Sequence, residues 1–463
     1  GPSCATNRGV RETSRTGLAD AGRALADEPR QWLGASAAIT VALRRESFKS
    51  CDSAPELAYS FPIITAMKLW LAWFSVLVAG VASRSIEQCA ESSSLRQLHV
   101  VYRHGDRTPT SLYPKDPNSP SDFPEGLGHI THKGKNDQYN LGRYLRVKYE
   151  DFLSYDPNEM KARSSGRERC LESIQTNLAG LYPPRGKKVW NSEVDWQPVP
   201  IQTMPVDLDG MLYEDAICPK AEEELDRIRQ SPEGAEVLNS NANLMRTLQE
   251  LSGKKMNDWV RARDRLDTLT IERSRGLKIP DWALPLWGNM TKVAKYTTIL
   301  NYKSPTYNKF RAGLLIRDIV RNADQVKDGN SNVKLYMYAA HDVAIAAFTS
   351  AFGVFNQLAV PSSTAVITEL HEDANANFFI QMLFKNDTTR KPYRLEIPGC
   401  EGFRCSLTTF QGSGPSRTSP TNWEEGVRVS RTLPGSHRPC SPEPDGGSCS
   451  ISQQTEGIRF AFY

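Results

Sequence analysis

Leu98-His99-Val100-Val101-Tyr102 forms a β-rich run that leads directly into the charged Arg103. A short apolar run rich in β-branched and aromatic residues predicts a buried strand. After a Gly- and Pro-containing stretch at 123–134, Leu141, Tyr144, Leu145, Tyr149 and Phe152 recur at helical spacing with charges between them, which predicts a helix crossing over the sheet. Residues 214–270 are rich in Glu, Lys, Arg and Leu, with Leu244, Leu248 and Leu251 on one face, and read as a mainly helical insertion. Leu315, Ile316, Ile319 and Val320 mark a further helix, and the polar Asp328-Gly329-Asn330-Ser331 follows it. The strand-like Lys334-Leu335-Tyr336-Met337-Tyr338 then runs into Ala340-His341-Asp342, with an apolar helix expected from Val343 to Phe352. Alternation of this kind from about Arg84 to Glu425 defines an α/β class.

The two ends follow other patterns. Met67-Lys68 precedes the run LWLAWFSVLVAGVA, and small residues lie near Ala82 and Ser83. A short positive start, an apolar stretch and small residues predict a signal peptide over 67–83. The run is too short to span a membrane comfortably, and it lacks the polar face of a core helix. The 66 residues before Met67 contain no methionine and no sustained periodicity, so 1–66 is expected to be upstream transcript, disordered and foreign to the mature protein. Beyond Trp423-Glu424-Glu425 the chain turns rich in Pro, Ser, Gly and Arg, which predicts a disordered tail over 426–463. The expected catalytic domain is therefore 84–425, with the helical insertion at roughly 185–300.

Composition narrows the function. A formal net charge of +4 over 463 residues, with scattered basic residues, leaves no footprint for nucleic acid, so any anionic substrate is expected to be small. Nine cysteines and two acceptor sequons, Asn289-Met290-Thr291 and Asn386-Asp387-Thr388, suit a chain that passes through the secretory pathway. A secreted or lysosomal product with no stable membrane span is expected.

The chemistry concentrates in Arg103-His104-Gly105-Asp106-Arg107-Thr108-Pro109. Phosphoryl transfer asks a protein for a nucleophile and for cations that neutralise the transferring oxygens. Arg103 and Arg107 are permanently charged, planar donors that bind phosphate bidentately, and neutral His104 between them supplies a nitrogen that can attack phosphorus. A lone histidine near arginine would be read as a satisfied loop residue, but the whole heptapeptide at a strand end argues against that. His341-Asp342 also sits at the end of an expected strand, where open α/β sheets place ligands; by itself the dipeptide would be a helix cap.

These residues resemble the histidine acid phosphatase family, in its lysosomal and prostatic branch, and the resemblance extends from about Leu98 to Glu425. It includes Ala162-Arg163-Ser164-Ser165 with Arg169 following, then Asn177-Leu178-Ala179-Gly180-Leu181-Tyr182-Pro183-Pro184. The resemblance implies a phosphoglycerate-mutase-like three-layer α/β/α domain carrying a smaller helical insertion. It also implies hydrolysis of phosphate monoesters, including phosphoproteins, through a phosphohistidine on His104. Arg103, Arg107, Arg163 and His341 would bind the phosphate, and Asp342 would donate the proton. An ordinary aspartate titrates near ~4, so an acidic compartment would favour its protonated form. No cofactor and no metal are implied, since the arginines supply the positive charge; His129-x-x-His132 lacks a third ligand and reads as a structural pair. His99 and His371 read as structural too, and the resemblance further suggests a homodimer.

Cys218, Cys400 and Cys405 look like three of the family's disulfide cysteines, whereas Ala365 stands where the family usually has another. The cysteine expected soon after Trp423 to pair with Cys218 is replaced, since Gly426 and Val427 follow instead, so the tail reads as an intron or an alternative exon. Cys218 would then be unpaired or captured by Cys440 or Cys449; Cys89 and Cys170 carry no family assignment. A catalytically dead binding protein would be expected to have lost one of the named residues, and none is lost. A mutase or a phytase-like enzyme is the remaining rival.

Overall fold

The structure, a computed structural model, describes residues 94–213 and 216–413. The expected signal peptide, the segment before it and the tail after 425, with Cys89, Cys440 and Cys449, lie outside the described residues. Strands β1 (Leu95–Arg103), β2 (Met160–Ser164), β3 (Ile201–Gln202), β4 (Leu335–Ala340), β5 (Ala365–Glu372), β6 (Phe378–Lys385) and β7 (Tyr393–Leu395) form one sheet in the order β3-β2-β4-β1-β5-β6-β7. A short β8 (Cys405–Ser406) pairs with β6. β1 to β4 run parallel, and the β5 side is antiparallel. The fold is mixed α/β around a central mixed sheet.

Helices cover both faces because the central strands are apolar on both. Leu98, Val100 and Tyr102 of β1 pack with α1 (His132–Lys148) and α2 (Glu168–Leu181) through Leu141, Leu145, Ile174 and Leu178. Val101 points the other way, into the cluster that holds Ile316 and Ile319 of α8 (Pro305–Lys327) and Ile345 and Phe348 of α9 (Asp342–Ala351). All six residues of β4 are buried, as a strand covered on both faces requires. α1 is shorter than the apolar spacing suggested: Tyr149 caps its carboxyl end, so Phe152 lies beyond it. Between β3 and α8 the chain forms α3 (Pro219–Gln230), α4 (Pro232–Ser240), α5 (Ala242–Ser252), α6 (Trp259–Ser274) and α7 (Ala283–Leu300). After β8 comes α10 (Leu407–Gly412).

Strand register places the chemistry. Arg103 pairs with Ala340, and Ser164 with Ala339, so β1, β4 and β2 end at one edge. His104 N donates to Ala340 O at 3.0 Å and Ser165 N to Ala339 O at 2.9 Å, which sets the residues just past the strands side by side. Cys400 and Cys405 form a disulfide, while Cys170 and Cys218 are buried thiols outside that bridge. Among the described residues no helix is long and apolar enough to cross a membrane. Asn289 and Asn386, the two sequon asparagines, are both exposed.

Candidate active site

Past β1 the chain makes a tight turn against the start of α1. A Cβ on Gly105 would stand 2.6 Å from Gly134 O, and a Cβ on Gly134 would stand 2.2 Å from Asp106 O. Only glycine permits that approach. Asp106 completes the junction by accepting from Thr131 Oγ1 at 2.8 Å, and Thr131 in turn caps α1 by accepting from Gly134 N.

His104 is 2% exposed, and its Nδ1 lies 2.8 Å from Gly105 O. A carbonyl can only accept, so Nδ1 carries the proton and Nε2 keeps its lone pair. Burial first, then the cations Arg103, Arg169 and Arg107 together with His341, hold the ring well below the ordinary histidine value. His104 is therefore a neutral imidazole even in acid, which a nitrogen nucleophile must be.

His341 stands edge-on to His104, with ring centroids 5.5 Å apart. Arg169 Nη2 donates to its Nδ1 at 3.3 Å, which leaves Nε2 as the donor to Ser165 Oγ at 3.0 Å. Cys170 Sγ lies 3.5 Å from the same Nε2. Burial, followed by Arg169, lowers the basicity of His341 as well.

Arg103 donates to Val360 O at 2.5 Å, and its Nη2 lies 3.7 Å from Asp342 Oδ2. Arg107 is held by Asp267 of α6 at 3.0 Å. Asp342 is the first residue of α9, and its side chain is 31% exposed to the cleft. Burial would raise its carboxyl, but Arg103 and Arg263 outweigh burial and hold it below the usual carboxylate range. The ordinary titration expected from the sequence is thus displaced downward. Burial likewise opposes the charge on Arg263, yet Asp342 and Asp264 keep it cationic.

Five of the six expected residues meet in one cleft of about 1180 Å³: Arg103, His104, Arg107, His341 and Asp342 line it. Arg163 does not. It sits inside β2 opposite Tyr338, two positions before the level of Ala340, and its Nη2 is spent on the buried Asp209 at 2.8 Å. Arg169, at the second position of α2, takes the place in the cleft that Arg163 was expected to fill. Strand length explains the difference, because the cleft is reached from the last residue of a strand, as with Arg103, or from beyond it, and Arg163 lies one residue short of the end of β2. The signal for Arg169 lay in the same segment, six residues on. Arg263 was missed altogether, since one arginine in a charged helix carries no pattern.

Of the His129-x-x-His132 pair, His129 faces Glu168 and Glu172. No cluster of three or more His, Cys, Asp or Glu side chains suited to a metal occurs among the described residues.

A mixed sheet clad in helices, with a neutral histidine ringed by arginines at the carboxyl ends of its strands, defines the class of histidine-based phosphatases. The chain belongs to the histidine phosphatase superfamily (branch 2), whose family model matches residues 94–385. It is 32% identical over 324 residues to the lysosomal acid phosphatase of Homo sapiens, covering 68% of this chain and 76% of that one. It is 33% identical over 330 residues to the prostatic acid phosphatase of Rattus norvegicus, covering 69% and 86%. The apo phytase of Hafnia alvei shares the fold with a TM-score of 0.51 at 17% identity, over 74% of this chain and 98% of that structure.

Proposed function

We propose that the protein is an acid phosphatase that hydrolyses phosphate monoesters through a covalent phosphohistidine. One observation carries the reading: a neutral His104, its Nε2 lone pair free, lines the same cleft as Arg103, Arg107 and Arg169. Nε2 attacks phosphorus, the N–P bond forms as the ester P–O bond breaks, and the leaving oxygen takes a proton from Asp342. Water then attacks the phosphohistidine, gives its proton to the Asp342 carboxylate, and phosphate departs with His104 restored. The three arginines bind the non-bridging oxygens, joined by His341 once its Nε2–H turns from Ser165 to the phosphate, so Arg169 replaces Arg163 in the phosphate-binding set.

In the free cleft Asp342 is held ionised. A bound phosphoryl group adds negative charge beside the same arginines, offsets their pull and raises the carboxyl towards protonation. Acid favours that step, while burial and the cations keep His104 neutral through it. The Cys400–Cys405 disulfide, the exposed sequons and the lysosomal and prostatic relatives support a product of the secretory pathway, secreted or in the lysosomal lumen.

Rapid acid quench with labelled substrate tests the mechanism. Wild-type protein is expected to trap an acid-labile phosphohistidine, and His104→Ala to lose both label and turnover; full activity in that variant would end the proposal. A panel of aryl phosphate, inositol phosphate and phosphotransfer acceptors separates hydrolase from phytase-like and mutase behaviour.

A further inference from the structure

A second acidic pair lies away from the nucleophile, between α6 and the 110–118 loop that follows the histidine motif. Glu272, in the last turn of α6, is 0% exposed, and neither of its carboxylate oxygens makes a hydrogen bond of good geometry, the Asn118 amide being the one side-chain donor close to it. Facing it from the loop is Asp116, whose Oδ1 accepts from Asn118 N at 3.0 Å and whose Oδ2 is buried and equally unpartnered. Tyr113 from the loop and Arg265 from α6 are the neighbouring titratable and charged groups. Arg265 is turned onto the Tyr113 ring, 4.3 Å from its centroid. A fully buried carboxylate set against the buried oxygen of a second carboxylate meets acceptor with acceptor and is short of donors, and leaving such a group poorly satisfied is costly.

We propose that Asp116 and Glu272 share one proton, and that this acid–carboxylate pair is a positioning device that clamps the loop to α6 in acid and releases it as pH rises. The clamp acts on the cleft through the two elements it joins. Thr110 and Ser111 of the loop line the cleft, Ser111 O accepts from Thr268 Oγ1 at 3.4 Å, and Asp267 beside it holds Arg107. Burial and the Asp116 charge push the Glu272 carboxyl up to about 8, in keeping with a retained proton. The sign follows. A carboxyl raised in the folded state adds stability that is complete below the unfolded value near ~4.3 and is lost as pH rises through the folded value.

The inference rests on the cleft being the phosphatase site, but its first readout does not. Thermal unfolding of the whole chain is followed from pH 5 to 8, beside KM for an aryl phosphate. One linked proton changes the folded-to-unfolded ratio by up to about tenfold per pH unit. Wild-type melting temperature is expected to fall across this range and KM to rise. Asp116→Asn and Glu272→Gln each supply the missing donor permanently while keeping the charge of the half-protonated pair, and both slopes should flatten. An unchanged slope in both variants would overturn the proposal, as would calcium stabilising the wild type at pH 8 with EDTA reversing it, since a cation would then fill the role of the proton. If no substrate turns over, the melting profiles still decide the clamp, and only the phosphatase reading fails.

Discussion

Arg163 and Arg169 lie six residues apart in one segment, and replacing each by methionine tests the proposal that Arg169 serves catalysis and Arg163 stability. Arg169 reaches the cleft, donates to His341 at 3.3 Å and helps depress the basicity of His104. Removing one fixed donor from a developing oxyanion costs ~10²–10³-fold in kcat, or ~2.7–4 kcal/mol. Arg169→Met should fall in that range. It should also move the acid limb of kcat/KM to higher pH, because His104 loses one of the charges that keep it neutral. Its melting temperature should hold or rise, since Arg103, Arg107 and Arg169 crowd like charges into one cleft.

Arg163→Met should do the reverse. It strands Asp209, which is 0% exposed and whose carboxyl burial already pushes upward against the pull of Arg163. Breaking a buried pair costs ~3–5 kcal/mol. The low end applies here, because Arg163 is 21% exposed and Leu212 N still donates to Asp209 at 3.3 Å. A fall in melting temperature of about 4–5 °C with kcat within a few-fold is expected. Steady-state kinetics on para-nitrophenyl phosphate across pH 3–7, beside calorimetry, gives both numbers. A kcat loss in Arg163→Met as large as that in Arg169→Met would refute the assignment.

Three further outcomes follow from the same geometry. Asp342→Asn should slow alkyl phosphates by ~10²–10⁴-fold and activated aryl phosphates far less, because a good leaving group needs no proton; equal losses in a leaving-group series would remove Asp342 as the acid. Gly134→Ala drives a Cβ to within 2.2 Å of Asp106 O, so about 1–3 kcal/mol of stability and most of the turnover should go together, as melts and kcat would show; an active, fully stable variant would contradict the close approach. Arg263→Met removes a cation that helps hold Asp342 ionised, and the basic limb of the kcat profile should therefore move to higher pH.

The central strands were legible because burial writes itself into local sequence: Leu98–Tyr102 and Leu335–Tyr338 are apolar runs, and both fall in strands of the sheet. The relative placement of strands was not written there. Whether Arg163 faces the cleft depends on where β2 stops against β4, which is set by pairing with Met337 and Tyr338 far along the chain. Asp116 and Glu272 illustrate the same limit, since neither residue carries a mark of its partner until the loop folds onto α6.

The sequence by itself singled out His104, its two flanking arginines and the His341-Asp342 dipeptide, because these sit within a few residues of apolar strand ends. Tertiary structure decided which arginines meet His104 in the cleft, which charges hold Asp342 ionised and which tautomer His104 adopts. Those properties come from distances and burial between segments remote in sequence, and Coulomb interactions in a buried cleft depend on such distances rather than on local pattern.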